Sequence, residues 1–375
     1  MAHPSNALII GGGIAGLSAA IALSRVGVRC DVVELADEAP PGASVSISGR
    51  AAEALDELGV YAECYANGTP FTDSSSLTQM DSAGHVTSAG PGLPQWPGAR
   101  TAIGIYRPVL LRILADAARG LGVTIRSGVT LVSADERDDG SLVTTSDGEQ
   151  QCYDLVVGAD GIGSTTRSDL FPDAPGPTYS GQISLRWMAP GPPVADQGWY
   201  HGPVGRLGFY SLPQDLVYLP AVIDAPDRTH LTDDDVHALF TELLDSYTAP
   251  AVVELRRRLT PDAEVICRPF DWILVPDRWH RGRTILIGDA AHATTAHLGQ
   301  GAGMALEDAV VLAQCVSTSA TLSEAFEAFM ARRYDRVRTV VETSVALSRL
   351  EQEGAAPREN VAVIQTALQT LAQPY

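Results

Sequence analysis

The chain opens on an apolar run, "NALII", then "GGGIAG", then apolar residues at helical spacing in "IAGLSAAIALSRVGV", then a second apolar run in "RCDVVEL". Short apolar runs bounded by glycine fit buried strands, and apolar positions recurring every three or four residues fit a helix packed on one side. The segment therefore predicts strand, tight turn, helix and strand, one βαβ unit. From about Gly68 to Arg100 the pattern breaks into Gly, Pro, Ser and Thr with short apolar stretches, which predicts loops and short strands. "RPVLLRILADAARGLGV" returns to helical spacing, and a meander of strands follows, with Asp-Gly turn signals at 139–140 and 147–148. Between about Pro177 and Pro269 the alternation is that of antiparallel strands, in "YSGQISLRWMA", "GRLGFYSLP" and "DLVYLPAVID", with a helix expected over Asp233 to Tyr247. The chain then resumes the opening pattern at "RTILIGDAAHATT" and ends in helical spacing from Thr321 to Ala372.

These patterns predict three discontinuous units. Segments 1–67, 101–176 and 270–320 make one α/β domain, 68–100 with 177–269 make a second, sheet-based domain, and 321–375 form a helical tail. With 375 residues and 45% apolar content, the chain is long enough for roughly two to three such units. A net charge of -19 disfavours nucleic acid and anionic membrane surfaces as partners. No apolar run approaches the roughly 20 residues that a membrane-spanning helix needs. The first strand also begins at Ala7, too early for a signal peptide. A soluble, cytoplasmic protein acting on small molecules is expected. Its five cysteines lie far apart without a C-x-x-C pair, so buried reduced thiols are expected and no metal site.

Three glycine junctions carry the chemistry. Gly11-x-Gly13-x-x-Gly16 follows a strand and opens a helix. Gly11 permits the tight turn, Gly13 admits backbone to a pyrophosphate, and Gly16 lets helix and strand pack closely. Glu34, ending the second strand, can accept both ribose hydroxyls. At "YDLVVGADGIGSTTR" a strand ends in Asp160, which alone also fits a plain strand-to-turn transition. At "TILIGDAAHATTAHLGQGAGMALEDA" a strand ends in Asp289 before a second glycine turn and helix. A carboxylate there suits a polyol. The free N–H groups of Leu298 to Gly303 and the helix dipole suit a group that becomes anionic, such as the pyrimidine edge of a reduced flavin.

These motifs, in this order, resemble the single-component flavoprotein aromatic hydroxylases, the para-hydroxybenzoate hydroxylase-like FAD monooxygenases, from Gly11 to about Val316. The resemblance implies an α/β fold, with a Rossmann-like FAD-binding domain, an inserted, mainly antiparallel substrate domain and the helical tail. It implies noncovalent FAD held by Gly11, Gly13, Ile14, Ala15, Gly16, Glu34, Leu35 and Val129 on the adenosine side. Asp289, Gly299, Gly301, Ala302 and Gly303 take the ribityl and isoalloxazine side. Asp160 would serve both FAD and the nicotinamide cofactor, while Arg50 and Arg107 match positions that face the flavin. Either arginine also fits a solvated helix-end cation. Two positions depart from the family pattern. Leu35 stands where a basic residue is common, and Ala296 replaces the proline of H-x-x-x-P-x-x-G.

The implied reaction uses NADH or NADPH to reduce FAD, O2 to form a C4a-hydroperoxyflavin, and oxygen transfer to an aromatic or heteroaromatic small molecule. A FAD-dependent reductase or dehydrogenase that does not activate oxygen is the alternative, and a non-catalytic flavoprotein a third. A flavin halogenase is disfavoured, since "FDWILVP" lacks the W-x-W-x-I-P motif. The inserted strands offer Trp187, Phe209, Tyr210 and Tyr218 as pocket aromatics, although core packing accounts for strand aromatics equally well. Arg206, Tyr218 and His297 are the catalytic candidates. Arg186, Tyr210, Tyr218 and His297 are the substrate-binding ones, and Arg206 with Tyr218, on neighbouring strand segments, can meet an acidic or phenolic substrate in an arrangement similar to the urate hydroxylase branch. His297, beside the flavin turn, can accept a substrate proton, while His292 is expected to hold the loop. A monomer or homodimer is expected.

Overall fold

The computed structural model describes residues 3–37, 42–70, 78–89, 93–194, 198–227 and 230–375. Its first sheet runs in the order His280–Arg281, Thr284–Leu286, Leu155–Gly158, Asn6–Ile10, Arg29–Glu34, Thr124–Ser127. All neighbours in it are parallel except the first pair. Asn6–Ile10 lies centrally, and Ala7 to Ile10 are buried, so both faces must be covered. A parallel sheet covered on both faces reads as a continuous apolar run, as "ALII" does. One cover is a helix pair, Ile14–Arg25 against Gly301–Thr318. The other is a three-stranded antiparallel sheet, Leu131–Arg137, Gly140–Thr145 and Gln150–Tyr153. Its turns fall at the two Asp-Gly signals.

The second large sheet has seven strands in the order Val265–Trp272, Thr178–Pro190, Leu216–Asp224, Arg206–Leu212, Gly198–His201, Gln79–Met80, Val86–Ser88. The segment with broken patterning thus supplies two edge strands, while its parts at 71–77 and 90–92 lie outside the described residues. Period-two alternation sends Leu185, Trp187, Leu207, Phe209, Leu219 and Ala221 to one face. There they pack with Phe240, Leu243, Val252 and Leu255 of helices Asp233–Asp245 and Pro250–Arg258. The first of these helices is fixed by a capping box, with Thr232 and Asp235 bonding each other's backbone N–H. The opposite face carries Arg186, Met188, Tyr210, Leu212 and Tyr218, and it meets Ala43 and Tyr106.

The tail is two helices, Leu322–Gln352 and Pro357–Leu371. The longer one crosses from Gly301–Thr318 to the second sheet, where Ser348 donates to Gln182 (2.6 Å) and Gln352 to the Ser180 carbonyl (3.0 Å). It therefore ties helix Gly301–Thr318 to the second sheet. All five cysteines are free thiols. Among the described residues no helix is long and apolar enough to cross a membrane, and no three His, Cys, Asp or Glu residues are grouped to hold a metal.

Candidate active site

The first glycine turn is shaped by what its neighbours forbid. Gly11 has φ +108°, and a Cβ there would lie 2.3 Å from the Ala159 carbonyl; a Cβ on Gly16 would lie 1.9 Å from the Gly11 carbonyl. Gly13 is the opposite case, since nothing lies within 4 Å of its Cβ position. That open side lies at the N-cap of Ile14–Arg25, which has no side-chain cap and no acid in its first turn. Its first N–H groups have no helical partner by construction, so the turn and helix end form a cradle for an anion such as pyrophosphate. Glu34 is fixed beside it, accepting from Gly12 N (2.6 Å) and Ala36 N (2.9 Å).

The second cradle repeats this logic. Gly301–Thr318 begins at Gln300 without a side-chain cap, and the Gln300 NH2 group donates to Ser48 Oγ (3.1 Å). Gly299 has φ +67° and nothing within 4 Å of its Cβ position, whereas a Cβ on Gly303 would press on Ala51 (2.9 Å). One expected donor is committed, since Gly299 N bonds the Ala296 carbonyl (3.1 Å). Asp289 is exposed to the cleft, yet so deep within it that lost solvation raises its carboxyl pKa against the pull of His292 and Arg107. Uncapped helix ends, open glycines and an accessible carboxylate fit FAD.

Behind Asp289 lies a buried ion network. Asp308 accepts from Gly288 N (2.9 Å) and Arg333 Nε (2.7 Å) and pairs with His292 Nε2 (2.6 Å). Arg333 also donates to Glu307 (2.6 Å), which Arg336 grips through two nitrogens (2.7 and 2.9 Å). Burial alone would raise the Asp308 pKa, but the His292 and Arg333 charges lower it. His292 is thus structural, as expected, and the network pins the turn that presents Asp289.

The cleft face of the second sheet is aromatic with one polar corner. Tyr210 and Tyr218 are register partners whose rings stack at 6.4 Å, and Trp199 stands edge-on to Tyr210 at 6.5 Å. Burial raises both phenol pKa values, so at neutral pH they stay protonated and can donate hydrogen bonds. At the corner, Arg206 lies 4.0 Å over the Trp199 ring and donates through Nε to Glu351 Oε2 (2.9 Å). Burial would raise the Glu351 pKa, yet Arg206 and His297 bring it down to about 2. His201 faces the same corner, bonded to Gln79 Oε1 (2.7 Å), and burial and then Arg206 lower its pKa to about 4.

Several expectations need correction. Trp187 and Phe209 face the helix-covered core, edge-on to Phe240 and stacked on Tyr200 respectively. His297 has no exposed side-chain surface; Nδ1 contacts Thr295 Oγ1 (2.9 Å), Nε2 lies 3.3 Å from Glu351, and the ring packs on Phe270. As placed, it cannot reach a substrate. Arg206 and Tyr218 share a face, but Arg206 pairs in register with Val222, four residues from Tyr218, or about 13 Å along the strand. Arg50 turns to the tail instead, donating to the Ala372 carbonyl (2.8 Å) and Glu53 (2.6 Å) and lying over Trp96. Asp160 is occupied by Ser164 and by the N–H and hydroxyl of Thr166. It organises its own loop, which Arg167 ties to Ala290 (2.9 Å).

The other candidates are placed as follows. Val129 is buried, its N–H bonded to the Glu34 carbonyl (3.0 Å), and Leu35 is 70% exposed. Ala15 is buried where Gly288 approaches it, with Ile14 and Ala302 half-buried. Arg107 starts its helix beside Asp289, and Arg186 donates to Ser184 Oγ (3.0 Å) near Tyr218. Glu351, Trp199 and the Arg333 network were missed. Strand alternation offered a signal for Trp199, and nothing local marked Glu351.

A family model described as an FAD binding domain matches residues 5–344. The chain is 32% identical over 357 residues to the 2-heptyl-3-hydroxy-4(1H)-quinolone synthase of Pseudomonas aeruginosa, covering 92% of this chain and 89% of that protein. It is 30% identical over 367 residues to the FAD-dependent urate hydroxylase of Klebsiella oxytoca, covering 90% and 88%. Among solved structures it is similar to Klebsiella pneumoniae HpxO complexed with FAD and uric acid, at TM-score 0.83 and 25% identity over 98% of this chain and 96% of that one.

Proposed function

Given that the chain belongs to the FAD-dependent aromatic hydroxylase family and is a flavoprotein monooxygenase, we propose that it uses NADH or NADPH and O2 to hydroxylate an aromatic or heteroaromatic small molecule. The observation carrying this reading is the cleft face itself. A sheet surface of Trp199, Tyr210 and Tyr218 ends in one charged corner, where Glu351 lies 3.3 Å from His297 of the loop that leads into the Gly299 turn. Bound FAD supplies the electron transfer and oxygen activation that protein side chains lack.

The remaining work falls to this chain's residues. The Gly13 and Gly301 helix ends would hold negative charge, and Asp289 would accept polyol hydroxyls. Ala43, Leu212 and Tyr218, with Tyr106, Met188 and Leu216 packed against them, keep water from the reacting ring. The Tyr218 hydroxyl would donate a hydrogen bond that orients it, with the Tyr210 ring stacked beside that of Tyr218. The test is a panel of phenols, aryl carboxylates and N-heteroaromatics offered to the FAD-loaded protein. At least one ring should accelerate NAD(P)H oxidation and yield a hydroxylated product. Oxidation indifferent to every ring and to oxygen would refute the proposal.

A further inference from the structure

The corner of the cleft is a matched donor and acceptor pair. Arg206 spends only Nε on Glu351 Oε2. Among the described residues, neither its two terminal nitrogens nor Glu351 Oε1 has a hydrogen-bond partner. The pair is mostly buried, at 11% and 14% side-chain exposure, and His297, 3.3 Å from Glu351 Oε2, has no exposed side-chain surface. Glu351 comes from the tail, beyond the residue at which the family match ends. It is held there by the Ser348–Gln182 and Gln352–Ser180 bonds on the same helix.

Charge decides what such a corner accepts. Arg206 is already neutralised by Glu351, so a ligand carboxylate would gain little from the arginine and would face the glutamate as a like charge. A partner with only acceptors would leave Glu351 Oε1 unpaired. The complement is one acceptor and one donor side by side on a planar edge that can lie against Trp199 and Tyr210. Resting on the hydroxylase reading above, we propose that Glu351 and Arg206 together recognise the adjacent N–H and C=O of a cyclic amide, so that the substrate is a neutral, lactam-type heteroaromatic. Glu351 is then a specificity residue supplied by the C-terminal helix.

The experiment follows the absorbance of bound FAD in the holoprotein as rings are added. The probes are 2-quinolone, N-methyl-2-quinolone and 2-naphthoate. The parent protein should bind 2-quinolone at least about tenfold more tightly than the N-methyl compound, the effect of leaving a buried acceptor unpaired, and 2-naphthoate more weakly still. In Glu351→Gln the amide oxygen stays with Arg206 and the NH2 group takes the Oε1 position. The preference for the N–H ring should therefore fall to within about twofold while FAD content holds. Equal binding of the two quinolones by the parent protein, a preference surviving Glu351→Gln, or tighter binding of 2-naphthoate would overturn the inference. Should Glu351→Gln not fold, the parent comparison alone decides. A protein that takes up no FAD would instead overturn the hydroxylase reading.

Discussion

Replacing Arg333 with methionine should loosen the turn that presents Asp289. Arg333 is fully buried, with Asp308 on one side and Glu307 on the other, and it also donates to the Met304 carbonyl (3.2 Å). Truncation leaves Asp308 with Gly288 N and His292, and Glu307 with Arg336 alone. Breaking one member of a buried ion network costs about 3 to 5 kcal/mol. With an unfolding entropy of about 2.1 cal/mol/K per residue over 375 residues, one cooperative transition should move down by about 4 to 6 °C. The assay is thermal unfolding with and without added FAD. Because Asp308 fixes Gly288, the rise in Tm given by FAD should also shrink at fixed ligand concentration. A variant melting within about 1 °C of the parent, with an unchanged FAD-induced rise, would refute the role given to the network.

Gly13→Val should abolish FAD uptake by filling the open side of the first cradle, and Asp289→Ala should weaken it. Flavin absorbance after desalting reads both, and a fully yellow Gly13→Val protein would contradict the phosphate placement. Arg206→Ala or Tyr218→Phe should lower coupled product formation by about 1 to 3 kcal/mol of lost orientation, with more hydrogen peroxide per NAD(P)H and FAD content unchanged. Loss of FAD from both would mean that the face does not hold substrate. His201, whose folded pKa of about 4 lies below its ordinary 6.5, adds stability that is fully present above pH 6.5 and lost as pH falls toward 4. The loss should reach about 1 to 3 kcal/mol and be smaller in His201→Gln, as read by urea unfolding at pH 7 and 4.5. Equal slopes in the two proteins would exclude it.

The two glycine turns were legible because glycine is itself a statement about backbone. Gly11 is required by φ +108° and a carbonyl 2.3 Å from its missing Cβ, and the same constraint is written into the G-x-G-x-x-G spacing. The substrate face was only half legible. "WY" at 199–200 and "FY" at 209–210 each send one aromatic to the cleft and one to the core. Where both faces of a sheet are covered, alternation does not say which is which. Trp187 and Phe209 fell on the wrong side for that reason. Glu351 was invisible because its meaning depends on a helix that returns to a strand 145 residues earlier in the chain. His297 lies in the loop before the Gly299 turn, where Glu351 and Phe270 enclose it.

Turnover under isotope-labelled dioxygen with the best ring from the panel separates oxygen transfer from simple flavin reduction. The hydroxylated product should carry one labelled oxygen, with NAD(P)H consumed in equal amount and coupling lost in Arg206→Ala. Product carrying oxygen from water, or NAD(P)H oxidation that proceeds equally well without dioxygen, would contradict the hydroxylase reading.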